Sequence, residues 1–371
     1  MWTKGESGSY DRNFRTTILN LHKMKITRTI IKCIFIITIA FSLSCKNGEK
    51  QLKNFSTIEY LSPTCIPINE IIKIGNIYKY KNYIVLQNVS SNAKESFYTY
   101  SFPDFKFLYA FCPIGNGPKE YIMPTVIKNT PENIFSFRDH ATDKFVSHSL
   151  TDSTATFINE SVLKPSDNRY FWEINYIKEN LYLLKRSNSK ISSRELWDFS
   201  SQQLLDTLPN TFDLKKSMGN NYYTEFDDTW ISSSNSKVAF AYFFIDRIEI
   251  GSINSQKLEI LASIGTKDTP NFHTFKEGKG NYKYNVENNI VHYESLSCTD
   301  KYIYALYAGI PWGDIDKNHS SIIEIYNWNG KPIKKLNLEH SLSAFIVDEE
   351  HQIIYGINPE THEDKIISYQ Y

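Results

Sequence analysis

The feature that most constrains this chain is a repeated series of short segments in which apolar and polar residues alternate. Alternation of this kind is typical of β-strands that bury one face. Between residues 77 and 369 the segments fall into five groups of four and a final group of three. Four-stranded antiparallel sheets arranged radially form a β-propeller, which exposes only short strand edges. We therefore predict an all-β fold: a six-bladed β-propeller of four-stranded antiparallel blades.

The final group, within residues 343–369, lacks a fourth strand. We predict that a segment near the N-terminus, such as Ser56–Tyr60 or Ile68–Ile72, supplies it and closes the last blade. Such closure joins the two ends of the chain, so truncation of either end should destabilise the whole domain. Seven blades or a pair of β-sandwiches are the alternatives, but sandwiches do not account for a three-stranded final group.

A glycine motif supports a repeating architecture. The stretch from Ile114 to Tyr121, Ile-Gly-Asn-Gly-Pro-Lys-Glu-Tyr, closes the first group, and a weaker copy begins at Ile264, 150 residues later. This spacing fits three units of about 50 residues each. We expect Gly115 and Gly117 to adopt positive φ where the chain leaves its strand, and Pro118 to fix the next turn.

The N-terminal region has the pattern of a bacterial export signal. A basic segment from Met24 to Lys32 precedes an apolar run of 11 residues, Cys33–Leu43, which is followed by Ser44-Cys45. Because a membrane-spanning helix needs roughly 17–25 apolar residues, this run is too short to span comfortably. A small residue before cysteine resembles a lipoprotein signal, in which Cys45 would become the lipidated first residue. An ordinary secretory signal with an incidental cysteine is the alternative.

These features divide the chain into four parts. Residues 1–23 are an extension or a mis-assigned start, and residues 24–44 are the signal peptide. Residues 45–56 are a polar tether, and residues 57–371 are a single propeller domain. If Cys45 carries lipid, the protein is anchored to a membrane without spanning it.

Charge and cysteine content restrict the partners and the chemistry. The chain has 41 Lys plus Arg and 41 Asp plus Glu, and therefore no net charge. A nucleic-acid-binding protein would need a basic surface, so we expect no nucleic-acid partner. Cys65, Cys112 and Cys298 follow Cys45, an odd number without metal-site spacing. We expect three buried free thiols, with one disulfide as the alternative.

The lipoprotein signal, the Ile-Gly-x-Gly-Pro-x-Glu-aromatic motif at residues 114–121 and Trp-Asn-Gly-Lys-Pro at residues 328–332 together resemble the TolB-like six-bladed propeller lipoproteins of Bacteroidetes. The resemblance covers about residues 24–371. It implies a propeller and the cell envelope, and it implies no activity. Lys119 stands where a glycine is usual in that family. We expect an outer-membrane lipoprotein on the periplasmic face, because no acidic cluster favouring surface export follows Cys45.

One long loop stands out among the candidate sites, since propellers bind ligands where loops converge at the mouth of the central channel. Residues 309–319 interrupt a hairpin of the fifth group and contain the candidates Trp312, Asp314, Asp316 and His319. Trp312 would stack on a ligand, and Asp314 and Asp316 would make polar contacts. The alternative is an ordinary loop with Trp312 packed on the blade beneath it.

The same loop begins like a calcium-binding loop, with Asp314, Asp316 and Asn318 at alternate positions. His319 replaces the glycine needed at position six, and Ile325 replaces the bidentate glutamate at position twelve. We therefore predict no metal here, and no cofactor.

Basic turns in the second and third groups give further candidates. Arg138 and His140 lie at a hairpin turn, and Arg186 occupies the equivalent position one group later. These side chains would either line a pocket or lie in solvent at ordinary turns.

The sequence contains no Gly-x-Ser-x-Gly, no His-Glu-x-x-His and no phosphate-binding glycine loop. We expect a monomeric, non-catalytic, envelope-tethered module that binds a ligand or an envelope protein. One alternative is a hydrolase or lyase of the lactonase type, metal-assisted, with carboxylates and histidines converging in the channel. Another is a glycan-binding propeller with exposed Trp and Tyr at the channel mouth, Trp312 first among them.

Overall fold

The structure is a computed structural model that describes residues 53–163, 170–187, 192–208, 228–267, 286–315 and 319–371, together with residues 212, 272, 274–277, 281–284 and 317. The chain divides into residues 1–49 and residues 50–371, and every described residue belongs to the second unit. The predicted signal peptide, Cys45 and Asp316 lie outside the described residues. Within the described part of the chain, no helix has the length and apolar character needed to cross a membrane.

Six sheets form the blades of a propeller, each with four antiparallel strands as predicted, and blade 5 carries one further strand. The strands β1 (Thr57–Leu61) and β2 (Thr64–Pro67) precede the first blade. Blade 1 contains β3 (Ile74–Tyr80), β4 (Tyr83–Asn88), β5 (Glu95–Ser101) and β6 (Phe107–Pro113). Blade 2 contains β7 (Pro124–Val126), β8 (Ile134–Asp139), β9 (Lys144–Leu150) and β10 (Ala155–Val162). Blade 3 contains β11 (Tyr170–Lys178), β12 (Leu181–Ser187), β13 (Ser192–Asp198) and β14 (Gln203–Leu208).

The second half of the ring repeats this plan after an insertion. Blade 4 contains β15 (Thr229–Ser234), β16 (Lys237–Tyr242), β17 (Arg247–Asn254) and β18 (Lys257–Gly265). A hairpin of β19 (Thr274–Glu277) and β20 (Asn281–Tyr284) follows and was not predicted from the sequence. Blade 5 contains β21 (Ile290–Cys298), β22 (Tyr302–Pro311), β23 (Ile322–Asn327) and β24 (Pro332–Leu338), and blade 6 begins with β25 (Ala344–Asp348), β26 (Ile353–Asn358) and β27 (His362–Gln370). Short 3₁₀ turns lie at Val286–Asn288 and Trp312–Asp314.

An N-terminal strand completes the last blade, as predicted, but it is neither of the two segments named as examples from the sequence. Strand β2 pairs antiparallel with β27, with Cys65 opposite Ile367. Most of the Ser56–Tyr60 segment lies in β1, which pairs in parallel with β24 as a fifth strand of blade 5. The other segment, Ile68–Ile72, forms no strand; Ile68 and Ile71 are buried in the core between blades 6 and 1. Burial therefore explains its apolar pattern.

Aromatic side chains fill the space between adjacent blades. Between blades 1 and 2 the rings of Phe97 and Phe135 have centroids 4.6 Å apart, and Phe111 and Phe137 pack around them. Edge-to-face aromatic contacts of this kind add to the free energy gained by burying the rings. The first strand of each blade lines the central channel. We call the face on which these strands begin, together with the turns between second and third strands, the entry face.

The glycine motif differs from the prediction in its backbone. Neither Gly115 nor Gly117 has positive φ, whereas Lys119 has a φ of 65°. Gly117 instead donates its N–H to the Glu120 carboxylate at 2.7 Å, and a Cβ on Gly115 would overlap that carboxylate. At these glycines the feature is thus close approach of the Glu120 side chain and not positive φ. In the second copy, Gly265 does have positive φ, at 89°.

The three cysteines of the propeller are free thiols, but only Cys112 is fully buried. Cys65 is exposed on β2, contrary to the expectation of burial, because the outermost strand of a blade has one face in solvent. Cys298 is half-buried, and desolvation raises its pKa to about 12.

Candidate ligand-binding face

The entry face of blades 1, 2 and 3 carries a cavity of about 670 Å³. It lies between the β4–β5 turn, the segment joining β6 to β7, and the start of β11. We call it the entry cavity. Its volume falls within the range of small-molecule sites in proteins.

Large apolar side chains surround the entry cavity and remain in contact with solvent. The exposed fractions are 61% for Met123, 61% for Tyr170 and 54% for Trp172. Val89, Ile114 and Ile122 line the same cavity and are also exposed. A contiguous apolar patch on a soluble surface marks an interaction site more often than isolated apolar residues do.

The start of β11 presents the two aromatic residues of this patch. In β11, Phe171 and Glu173 are buried and Tyr170 and Trp172 are exposed, and the pairing with β12 shifts register between Phe171 and Glu173, at Trp172. The rings of Tyr170 and Trp172 have centroids 6.4 Å apart and an interplanar angle of 64°. Both side chains line the entry cavity, because β11 begins on the entry face.

His140 forms part of the polar wall of the cavity. Its Nδ1 lies 2.7 Å from Arg138 Nη1, and its Nε2 lies 2.7 Å from Thr125 Oγ1. A guanidinium only donates, so Nδ1 accepts and the Nε2 hydrogen is donated to Thr125. Burial, together with the adjacent Arg138 charge, lowers the pKa of His140. The ring is therefore a neutral, fixed part of the wall at neutral pH.

Arg138 and Arg186 lie beneath the cavity and do not line it. Their guanidinium carbons lie 4.9 Å and 5.0 Å from the centroid of the Phe171 ring. Arg138 pairs with Asp143, and Arg186 donates to Glu195 at 3.0 Å. Both side chains are buried. They hold Phe171 in place, and thereby the start of β11.

The loop at blade 5 lies on the opposite side of the six-bladed ring. Trp312 is 38% exposed, and its ring packs on Phe243 and Phe244 with centroid distances of 5.3 Å and 6.1 Å. Asp314 forms an ion pair with Lys317. Trp312 thus packs on the turn after β16 of the neighbouring blade and keeps part of its surface exposed. The loop does not share a site with His140, because blades 2 and 5 face each other across the ring.

His319, in the same loop, faces a carboxylate. Its Nδ1 donates to the carbonyl oxygen of Lys317 at 2.8 Å, and its Nε2 lies 3.9 Å from Glu294 Oε2. Interaction with Glu294 raises the pKa of His319 more than burial lowers it.

A second cavity, of about 590 Å³, occupies the central channel among β3, β15, β21 and β25. Its charged groups are paired: Lys128 with Glu173, and Lys79 Nζ with Asp348 Oδ1 at 3.3 Å. Among the described residues, no group of three or more His, Cys, Asp or Glu side chains converges in a way that could hold a metal ion.

Sequence reasoning missed Met123, Tyr170 and Trp172. The available signal was the run Tyr-Phe-Trp at residues 170–172, which puts aromatic side chains on both faces of one strand. A blade strand whose two faces are both aromatic either is buried on both sides or presents one side to a partner.

Comparison with known proteins agrees with the propeller fold. The profile of the family described as "TolB-like 6-blade propeller-like" matches residues 75–350, so the chain belongs to that family. A member of the DUF4221 family from Bacteroides vulgatus has a similar structure, with a TM-score of 0.56 and 11% identity over 83% of this chain and 95% of that one. A protein from Bacteroides fragilis described as exported gives a TM-score of 0.52 and 14% identity over 84% and 99% of the two chains. At such identities the likeness shows the fold alone. No curated protein matches the chain by sequence.

Proposed function

We propose that this propeller is a non-catalytic binding module, and that the entry cavity receives an apolar or aromatic group of a ligand or of a partner protein. The observation that carries the proposal is the set of exposed side chains Met123, Tyr170 and Trp172 around one cavity. Aromatic residues at the centre of an interface commonly contribute about 2 kcal/mol or more to binding.

The polar groups of the cavity favour an apolar ligand over a glycan. Both ring nitrogens of His140 are already engaged, and Gln87 donates its side-chain amide to the carbonyl oxygen of Pro124 at 3.0 Å. Ser96 lines the cavity, and its buried hydroxyl has no partner among the described residues. A sugar ring needs several hydrogen bonds, and the polar groups of His140 and Gln87 are already engaged within the protein.

We also propose that the module works in the cell envelope as a monomeric lipoprotein. The export-type segment before Cys45 supports this proposal, and so does the description of the Bacteroides fragilis protein as exported. We favour lipid attachment at Cys45 and the periplasmic face of the outer membrane. Metabolic labelling with a palmitate analogue in a Bacteroides host should label the protein but not Cys45→Ser.

The binding proposal is tested with the apolar fluorescent probe 8-anilinonaphthalene-1-sulfonate. Titration of the folded protein should give a saturable site, and Trp172→Ala should weaken it about 10-fold or more. Trp312→Ala, a tryptophan of the same face in blade 5, is the matched control and should leave the affinity unchanged. Equal loss in both variants, or no loss in Trp172→Ala, would reject the entry cavity as the binding site. Near-UV circular dichroism verifies that each variant is folded.

A further inference from the structure

A lysine from the N-terminal segment is enclosed at the junction of blades 4 and 5. The Nζ of Lys53 forms an ion pair with Asp246. It lies 2.8 Å from the hydroxyl of Tyr293 and 3.2 Å from Oε2 of Glu324. The ammonium group thus contacts three oxygen atoms, one from the turn before β17, one from β21 and one from β23.

Aromatic rings complete the enclosure. The ammonium lies 5.1 Å from the ring centroid of Tyr293 and 4.9 Å from that of Tyr307. A cation this close to two ring faces is attracted by their quadrupoles, and more strongly where water is excluded. The Lys53 side chain is 16% exposed and the Glu324 side chain only 4%.

The acceptor groups are held in place by contacts that do not involve Lys53. Tyr293 donates its hydroxyl to Glu324 Oε2 at 3.1 Å, and Tyr326 donates to the same oxygen at 2.7 Å. Two phenols therefore fix the orientation of a buried carboxylate. A buried carboxylate without a cation is costly, so the junction favours a positively charged occupant.

We propose that this junction is a binding site for a primary alkylammonium group, which the chain fills with its own Lys53 and which accepts a free amine when that side chain is removed. A compact ammonium with three hydrogens matches the three oxygens, whereas a planar guanidinium is suited to paired acceptors in one plane. When Lys53 occupies this site, it holds the N-terminal segment against the ring.

Binding of Lys53 at the junction also limits the distance between the junction and the proposed lipid attachment point. Lys53 is eight positions after Cys45, the proposed lipid attachment point. A fully extended chain spans about 3.5 Å per residue, so the junction lies within about 30 Å of the lipid attachment point. This consequence depends on lipidation at Cys45, but the amine site does not.

The test is chemical rescue in the full chain. Lys53→Ala removes the three carbon atoms beyond Cβ together with the ammonium group. The variant therefore leaves a space with the shape of an n-propylammonium ion. Loss of the cation should lower the thermal midpoint by on the order of 5 °C. About 100 mM n-propylammonium chloride should restore part of that loss, whereas equal sodium or tetramethylammonium chloride should not.

Two comparisons make the outcome decisive. Lys53→Met retains the volume but not the charge, so it should be destabilised and should not respond to the amine. The parent protein should not respond either, because its site is occupied. If Lys53→Ala does not fold alone, n-propylammonium should promote its refolding where tetramethylammonium does not. An unchanged midpoint in Lys53→Ala, or equal effects of the three salts, would overturn the proposal.

Discussion

Arg194 of blade 3 donates from Nη1 to Oε2 of Glu249 in blade 4 at 2.6 Å, and both side chains are almost fully buried. The guanidinium carbon also lies 4.5 Å from the ring centroid of Phe240 in blade 4. This ion pair therefore joins two blades through charge and through packing.

Removal of one partner from this pair should be strongly destabilising. Arg194→Met leaves the Glu249 carboxylate buried with less compensating charge, so we expect a loss of about 3 kcal/mol in the free energy of unfolding, measured with urea. Lys73→Met is the control, because Lys73 and Glu360 form a pair on the surface at 2.9 Å. That control should lower the free energy of unfolding far less, because water screens an ion pair on the surface. Similar losses in the two variants would mean that the buried pair does not hold the blades together.

Lys119 is expected to be a strained position in the glycine motif. Its φ of 65° places a side chain in the left-handed region, which costs roughly 1–2 kcal/mol for an L-residue and little for glycine. The free energy of unfolding of Lys119→Gly should therefore be about 1 kcal/mol higher than that of Lys119→Ala. Both variants lose the contact of Lys119 with the Phe157 ring, so the difference between them reports the backbone strain alone. A lower value for the glycine variant would contradict this account.

The two Ile-Gly pairs should differ in their tolerance of alanine. At Gly265, φ is positive and a Cβ would overlap the backbone carbonyl of Asp246. At Gly115, the overlapping group is the end of the exposed Glu120 side chain, which can move. We expect Gly265→Ala to lower the free energy of unfolding by about 2 kcal/mol or more and Gly115→Ala by less than half of that. Thermal or urea unfolding of both variants provides the comparison, and equal losses would be inconsistent with it.

His148 should make the protein sensitive to mild acid. Its ring stacks on Phe137 with a centroid distance of 6.0 Å, and burial lowers its pKa from 6.5 to about 4. The unfolded state then binds the proton more tightly than the folded state. The contribution of the neutral His148 ring to the free energy of unfolding is complete above pH 6.5. It is lost as the pH falls towards 4, at up to about 1.4 kcal/mol per pH unit.

His148→Gln should reduce this pH dependence between pH 6.5 and 4. The measurement is the free energy of urea unfolding at half-unit pH intervals. Above pH 7 the difference between the variant and the parent should be constant, which separates titration from any change in packing. A variant with the parental slope below pH 6.5 would show that His148 is not a source of the acid sensitivity.

The glycine motif shows how far local sequence can be interpreted. Its position at the end of a blade was correct, because an Ile-Gly pair after an alternating strand marks where the chain leaves a sheet. The assignment of positive φ to Gly115 and Gly117 was wrong, since Lys119 takes that conformation. Glycine can serve either backbone freedom or close approach, and only the neighbouring Glu120 carboxylate distinguishes the two.

The sequence by itself determined the six-bladed propeller, because alternation with a period of two fixes which face of each strand is buried, and groups of four fix the blades. It also indicated that an N-terminal strand closes the ring. Only the tertiary structure decided which segment does so, which aromatic side chains stay exposed at the entry cavity, and where Lys53 binds. Asp246 and Glu324 are 193 and 271 residues from Lys53 along the chain. Contacts over such separations depend on closure of the whole ring, and local residue patterns carry no information about them.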